Sequence, residues 1–468
     1  MSTQARPQPH ILVFPYPAQG HMLPLLDLTH QLALGGLPIT IVVTPKNLPN
    51  LKPLLSFHPD TIETLVLPFP SHPKLPSGVE NISEVGISAN NLFICALSKL
   101  KDPIIEWFES HPAPPVAIIS DLFLGWTQKL GNHLGIPRIA FYCCAAFSTC
   151  VARHCIQNLR AVKYSGFIQF PDIPGSPTFK QEHVPSTSQR NRELDPDEEL
   201  EREISIANSM SWGFILNTFE AMEGPYLDYL RQKILGHPRV YGLGPLSLRS
   251  IGNGMVRGDV DPALKCNVFN WLEQCEDESV LYVCFGSQKM LKREQMEALA
   301  NGLEQSKTRF IWVVKVGMIH EEDNGHGVVP DGFEDRVSGR GLVIRGWVPQ
   351  VAILNHPAVG GFLGYCGWNS LLEGLVGGVM ILGWPMEADQ FVNAKLFEDL
   401  GVAVRVCEGP DALPDPNHLS RVISETFREN NDQKVRTKAL RDEAIKAISN
   451  EGSSCKEFDR LLNDLAQL

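Results

Sequence analysis

From His10 onward, short apolar runs alternate with longer amphipathic stretches, the rhythm of strands separated by helices in an α/β sheet protein. Ile11 to Phe14 reads as a buried strand and His21 to Leu34 as a helix closed by Gly35 and Gly36. Ile39 to Val43 is the next strand, reached by a crossover and therefore parallel. Val116 to Ser120 and Ile139 to Tyr142 are further strands around a helix near Leu124 to Leu134, and Gly213 to Asn217 continues the series. The proline-rich stretch Phe69 to Gly78 reads as a surface loop.

Gly242 to Gly258 is rich in glycine and poor in hydrophobic periodicity, which predicts a linker. Beyond it the rhythm restarts: strand Val280 to Phe285, helix Arg293 to Gln305, strands Phe310 to Val314, Leu342 to Ile344 and Val359 to Leu363, then a helix from Trp368. Gly317 to Pro330 reads as a mobile loop and Gln433 to Leu468 as terminal helices. The expected organisation is two Rossmann-like units, 1–245 and 263–450, joined by a linker 246–262 and followed by a helix in 451–468. Parallel sheets bind ligands at the carboxyl ends of their strands, so two facing sheets predict a cleft between units.

A chain of 468 residues exceeds one compact core, consistent with two domains. The formal charge of −12 removes the basic surplus that duplex DNA or an anionic membrane favours, so neither is an expected partner. The longest apolar segment, Ile139 to Ala152, is too short to span a bilayer, and the N-terminus lacks a small-residue cleavage site; a cytoplasmic protein is expected. The 11 cysteines include no Cys-x-x-Cys pair, which argues against a disulfide framework and a structural zinc site. The adjacent Cys143 and Cys144 read as small core residues.

Candidate chemistry gathers where strands end. His21 follows Gly20 after the first strand and opens a helix, a position from which an imidazole projects into the cleft as a base. Asp121 ends the strand from Val116 and is a candidate carboxylate to hold the imidazole tautomer and stabilise its cation, although the sequence alone does not place the two together and the Asp equally suits capping a helix. The strand-turn-helix beginning near Gly367 to Ser370 presents free backbone N–H groups and a positive dipole end, where a diphosphate fits. Asp389 and Gln390 offer an acceptor and a donor suited to vicinal sugar hydroxyls, although the Asp equally suits capping the following helix. Asp259-Val260-Asp261 mimics a metal-binding Asp-x-Asp but falls in the predicted linker, so no bound metal is expected. The acidic run Asp195 to Glu201 reads as the exposed start of a helix.

Between Trp347 and Gln390 the sequence resembles the box of plant secondary-product UDP-glycosyltransferases. The match lies at Trp347, Pro349, Gln350, Leu354, His356, Ala358, Gly360, Phe362, Cys366 to Ser370, Glu373, Gly378, Val379, Trp384, Pro385, Asp389 and Gln390. It extends to Pro17 through His21, to Ile119-Ser120-Asp121 and to Phe285-Gly286-Ser287. The resemblance implies a GT-B fold in which Trp347 stacks on uracil and the backbone of Val348 reads the base edge. Gln350 and Glu373 hold the ribose, and Ser287, Trp368, Asn369 and Ser370 meet the diphosphate. Tyr365 stands where the family usually has a histidine before Cys-Gly-Trp-Asn, and its hydroxyl donates without ever being a cation. The run Gly377-Gly378-Val379-Met380 resembles flavonol 7-O-rhamnosyltransferases of the family, and the segments Thr44 to Leu48, Leu67 to Pro73 and Ile119 to Gln128 resemble the subgroup of flavonol 7-O-glycosyltransferases and hydroxybenzoate glucosyltransferases.

The resemblance implies a monomer that needs no cofactor beyond its UDP-sugar co-substrate. It implies an inverting, metal-independent transfer, most simply of glucose, to a hydroxyl of a phenolic such as a flavonoid. Rhamnosyl or xylosyl transfer, and a catalytically weak UDP-sugar or flavonoid binder, are the alternatives. Gly20, Phe123, Trp126, Phe141 and Phe147 are candidates to line the acceptor slot, and the four aromatics read equally well as core.

Overall fold

The computed structural model describes residues 8–158, 162, 165–185, 196–252, 262–287, 289–315, 325–428 and 431–468. The first half supplies β1 (Ile11–Phe14), β2 (Ile39–Val43), β3 (Ile62–Val66), β4 (Ala117–Asp121), β5 (Arg138–Tyr142), β6 (Phe167–Gln169), β7 (Thr178–Lys180), β8 (Gly213–Leu216) and β9 (Val240–Gly242). Seven of these form a sheet in the order β3-β2-β1-β4-β5-β8-β9, every pair parallel. The remaining two make an antiparallel hairpin.

Strands β1, β2, β4, β5 and β8 are buried at every position, because a parallel sheet carries helices on both faces and leaves no solvated side. Successive residues therefore feed two cores: Ile11 and Val13 pack into one, Leu12 and Phe14 into the other.

The second half supplies β10 (Val280–Cys284), β11 (Arg309–Val314), β12 (Gly341–Arg345), β13 (Val359–Gly364), β14 (Met380–Gly383) and β15 (Ala403–Arg405). Their order is β12-β11-β10-β13-β14-β15, again all parallel. In each sheet the strand order reverses once, between β1 and β4 and between β10 and β13. Chains leaving those strand ends diverge to opposite faces and open a crevice there.

The terminal helix Ser453–Leu465 buries Phe458, Leu461 and Leu465, three or four residues apart, in the core of the first sheet. Ser454 donates to the Gly244 carbonyl at 2.6 Å, and Tyr241 donates to Asp464 at 2.5 Å. Where composition predicted the linker to begin, Leu246–Gly252 is helical, with Leu246 buried beside the helix Gln19–Leu34. The rest of that stretch, including Asp259-Val260-Asp261, and much of Gly317 to Pro330 lie outside the described residues. From residue 196 on, the acidic run falls in the first turns of the helix Pro196–Ser209, and residue 195 lies outside the described residues. No helix among the described residues is long and apolar enough to cross a membrane.

Candidate active site

A cavity of about 910 Å³ is lined by both halves, enough for a nucleotide-linked sugar and a second small molecule. Its wall includes the segments that follow β1, β4, β10 and β13, the strands flanking the two reversals.

On the front wall, Asp121 is fully buried at the end of β4. His21, in the first turn of the helix Gln19–Leu34, meets it through Nδ1 at 2.9 Å from Oδ2. The other carboxylate oxygen accepts the Phe123 backbone N–H at 2.9 Å. Beneath, the buried Arg138 donates to the Asp121 carbonyl at 3.0 Å and to Ser120 Oγ at 2.8 Å. The imidazole is fixed on its faces as well: Phe123 stacks on it at 4.7 Å between ring centres, and Tyr16 meets it edge-on at 5.5 Å. With Nδ1 committed to Asp121, Nε2 is the nitrogen left for chemistry in the cavity.

Cys143 Sγ also lies 3.2 Å from His21 Nδ1. His21, Asp121 and Cys143 thus bring nitrogen, oxygen and sulfur donors within 4.8 Å of one another. Burial pushes the Cys143 thiol well up, so without a bound cation it is a neutral thiol beside the imidazole.

The rear wall is built at the turn from β13 into the helix Trp368–Gly377. Cys366 adopts a left-handed φ of 64° to make that turn, and Gly367 caps the helix without any side-chain bond, leaving its first N–H groups open. The Tyr365 ring lies against two glycines: a Cβ at Gly286 or Gly367 would fall 2.7 or 2.6 Å from it. Gly286 also holds a left-handed φ of 76°, so an alanine there is opposed by backbone and ring alike. Burial pushes the Tyr365 phenol up, against a hydrogen bond with the Ser370 side chain. It is therefore a neutral donor.

Gln350 is held at three points. It donates to Glu373 Oε2 at 2.8 Å and to Ser370 Oγ at 3.1 Å, and accepts from Tyr282 at 3.2 Å. Trp347 is 41% exposed and, with Val348 and Ser287, lines the cavity, presenting apolar area to a flat ligand. Ala388, with a left-handed φ of 56°, turns the chain into Asp389, whose Oδ2 accepts from Asn393 at 3.0 Å instead of capping its helix. Burial raises the Asp389 carboxyl, and the His21 imidazole is among the groups pulling it back. Asp389 and His21 line the same cavity from opposite halves.

Some expected donors are partly committed elsewhere. Asn369 donates to the carbonyl of Gly20, the residue before His21, at 2.6 Å, and the Trp368 indole donates to the Asn217 carbonyl at 2.9 Å, so both bind the halves together. The Gln390 side-chain oxygen accepts from Met386 and Glu387 backbone N–H groups at 2.9 and 3.1 Å, leaving its amide NH₂ to donate.

Among the aromatics, Phe123 reaches the cavity, whereas three others do not. Phe141 is fully buried on the β5 face packed by the Gln19–Leu34 helix. Phe147 packs on Tyr226 at 4.7 Å, and Trp126 sits edge-on to Phe14 at 5.7 Å. Sequence reasoning missed Arg138, Cys143 and Asn217 as parts of the site. Asn217, a polar residue directly after β8, carried a signal in its position.

Two Rossmann-type halves that set a carboxylate-bound imidazole against an open helix start define a GT-B glycosyltransferase. A family model described as UDP-glucoronosyl and UDP-glucosyl transferase matches residues 251–436, and one described as glycosyltransferase, N-terminal domain, matches residues 9–248. The chain belongs to the UDP-glycosyltransferase family and is a glycosyltransferase. UDP-glycosyltransferase 89A2 of Arabidopsis thaliana is 51% identical, covering 98% of this chain and 96% of the relative. Flavonol 3-O-glucosyltransferase UGT89B1 of the same plant is 47% identical over the same shares. The crystal structure of Arabidopsis thaliana UGT89C1 complexed with UDP-L-rhamnose superposes with a TM-score of 0.83 at 38% identity, covering 98% of this chain and 99% of that one.

Proposed function

We propose that this enzyme transfers glucose from UDP-glucose, with inversion, to a hydroxyl of a plant phenolic, a flavonoid being the form a relative's name points to. One observation carries the reading: His21, held by Asp121, lines the same cavity as Asp389 of the opposite half. In the proposed step, His21 Nε2 takes the acceptor's proton while the freed oxygen attacks the anomeric carbon from the face opposite UDP. The bond between that carbon and the diphosphate oxygen breaks, and its electron pair leaves on UDP. Asp121 stabilises the imidazolium. Asp389 and the Gln390 amide bind the sugar hydroxyls, and Gln350 with Glu373 hold the ribose beneath a uracil stacked on Trp347. The leaving diphosphate meets the open N–H groups of the helix start, with Ser287, Ser370 and the Tyr365 hydroxyl.

Base catalysis contributes about 10²- to 10⁴-fold; placing both substrates in one dry cavity supplies much of the rest. The step needs no metal. In this reading residues 1–245 bind the acceptor, 263–450 bind the donor, and the enzyme acts as a cytoplasmic monomer. A rhamnosyl donor is the second reading, favoured by the UDP-L-rhamnose complex of the similar structure.

Incubation with quercetin and equal UDP-glucose and UDP-L-rhamnose, read by mass spectrometry and anomeric proton couplings, tests the proposal. A β-glucoside supports it, and a rhamnoside replaces the donor. Free sugar, or unchanged reactants, contradicts transfer. His21→Ala should abolish product and leave UDP affinity nearly unchanged.

A further inference from the structure

Three neighbouring strands of the first sheet, β1, β4 and β5, end side by side, and parallel strands about 4.8 Å apart bring the residues that follow them equally close. His21 stands in the helix after β1, Asp121 closes β4, and Cys143 follows β5 directly. One nitrogen, one oxygen and one sulfur atom therefore converge. Asp121 Oδ2 lies 2.9 Å and Cys143 Sγ 3.2 Å from the same His21 Nδ1, and the three donor atoms all fall within 4.8 Å of one another.

This is not the layout of a thiol nucleophile. A nucleophile and the carboxylate that orients its base use opposite nitrogens of the imidazole, whereas here both crowd Nδ1. It is the layout of a chelate. The second Asp121 oxygen is tied to the Phe123 N–H, which leaves Oδ2 for the imidazole side. His21 and Cys143 border the cavity, and the His21 side chain is 20% exposed while that of Asp121 is sealed, so an ion has a way in and the cavity side is free for a fourth ligand. Zinc bonds of about 2.0–2.3 Å set tetrahedral ligand edges of roughly 3.3–3.7 Å, a few tenths of an ångström beyond the two contacts at Nδ1.

We infer that His21 Nδ1, Asp121 Oδ2 and Cys143 Sγ form an inhibitory site for a thiophilic divalent cation of the Zn²⁺ and Cd²⁺ class. The cation displaces the thiol proton to solvent, and its two positive charges are matched by the thiolate and the carboxylate, so the buried site is neutral. As the Nδ1 lone pair is taken, the imidazole proton moves to Nε2. That nitrogen then carries a hydrogen in place of a lone pair and accepts no proton from a substrate. Mg²⁺ and Ca²⁺, which require several oxygen ligands, find too few here. The effect on turnover rests on the proposed role of His21 as base; the binding does not.

Cadmium titration of the whole enzyme, followed by the near-ultraviolet thiolate-to-metal charge-transfer band, reads binding by itself. Cys143→Ser and His21→Ala should each weaken binding by at least about tenfold, the loss that even an outer-shell change can produce. Cys95→Ser and Cys266→Ser, which alter the two exposed cysteines, should leave the Cys143 band in place. In parallel, glucose transfer to 7-hydroxyflavone, a phenol without a chelating pair of oxygens, is measured at free Zn²⁺ held by a metal buffer. Saturating Zn²⁺ should lower kcat about 10²-fold or more with KM for UDP-glucose unchanged, EDTA should restore it, and Mg²⁺ should have no effect. Measured against its own metal-free rate, Cys143→Ser should need at least about tenfold more Zn²⁺ for the same inhibition. A cadmium band undiminished in Cys143→Ser or His21→Ala overturns the inference, as does equal zinc inhibition of Cys143→Ser and the wild type, or a zinc effect confined to KM for UDP-glucose. If the band depends on both side chains while Zn²⁺ leaves turnover intact, the site stands and the assignment of His21 as base fails.

Discussion

The two halves share one architecture, a parallel sheet whose order reverses once, yet they present opposite chemistries at the reversal. The front half places a formal charge there. Asp121 is buried and satisfied on both oxygens by Phe123 and His21, with Arg138 below its backbone. The rear half places neutral donors there: open helix N–H groups, Ser370 and the Tyr365 phenol. In the proposed transfer a proton changes hands at a defined atom, which calls for a rigidly held imidazole beside a carboxylate. A departing diphosphate spreads its charge over several oxygens, which many weak donors in a closed site can share. In the proposed transfer, fixed charge at the end of β4 and shared donors at the helix start answer two kinds of transition-state charge, while the rear carboxylates Glu373 and Asp389 lie beside those donors in the same cavity.

The largest effect should come from separating charge from geometry at the front. Asp121→Asn preserves the size of the side chain but cannot balance an imidazolium, so kcat should fall about 10²-fold or more while UDP affinity stays constant. Steady-state kinetics alongside calorimetry reads both, and a fall in UDP affinity of similar size would erase the division between the walls.

Acid should attack the front half first. His30 Nδ1 and His58 Nε2 stand 2.7 Å apart in its core, and burial followed by the His58 neighbour lowers His30 to about 4 from an ordinary 6.5. The unfolded chain takes up this proton below pH 6.5 and the folded chain only near 4. Stability is therefore complete above 6.5 and declines as pH falls between those values, by about 3 kcal/mol. Urea unfolding of the wild type and His30→Leu across that range should show the steeper decline in the wild type, and equal slopes would remove the pair as its cause.

The smallest effect belongs to one donor among several at the rear. Tyr365→Phe removes a hydroxyl worth about 0.5–1.5 kcal/mol, so the Kd for UDP should rise less than about tenfold, with little pH dependence between 6 and 8. A hundredfold loss would mean that the rear wall depends on Tyr365 rather than on shared donors.

Much of this division was legible in the sequence, because residues with few structural alternatives mark it. A histidine and an aspartate ending apolar runs, and a Gly-Trp-Asn-Ser opening a helix, announce themselves without tertiary information. The aromatics did not. Phe123 and Phe141 belong to neighbouring strand ends, but Phe141 lies within β5, where alternation sends it to the core, while Phe123 follows β4 and reaches the cavity. Composition also misread Leu246–Gly252, since its flanking glycines and proline outweighed a short helix whose stability comes from packing on the first sheet. The edge strands β3 and β15 were missed because three to five residues with mixed exposure leave no period to detect, and β9 because three buried residues are too short a run. Cys143 emerges only once the fold brings a strand end to the base.

A crystal structure of the enzyme with a non-transferable fluorinated UDP-glucose and quercetin tests the central claim most directly. The account predicts the acceptor oxygen about 2.6–3.2 Å from His21 Nε2 and about 3–3.5 Å from the anomeric carbon, with UDP departing on the opposite side. An acceptor hydroxyl seated away from His21, or a sugar whose anomeric carbon turns from that imidazole toward the rear wall, would contradict it.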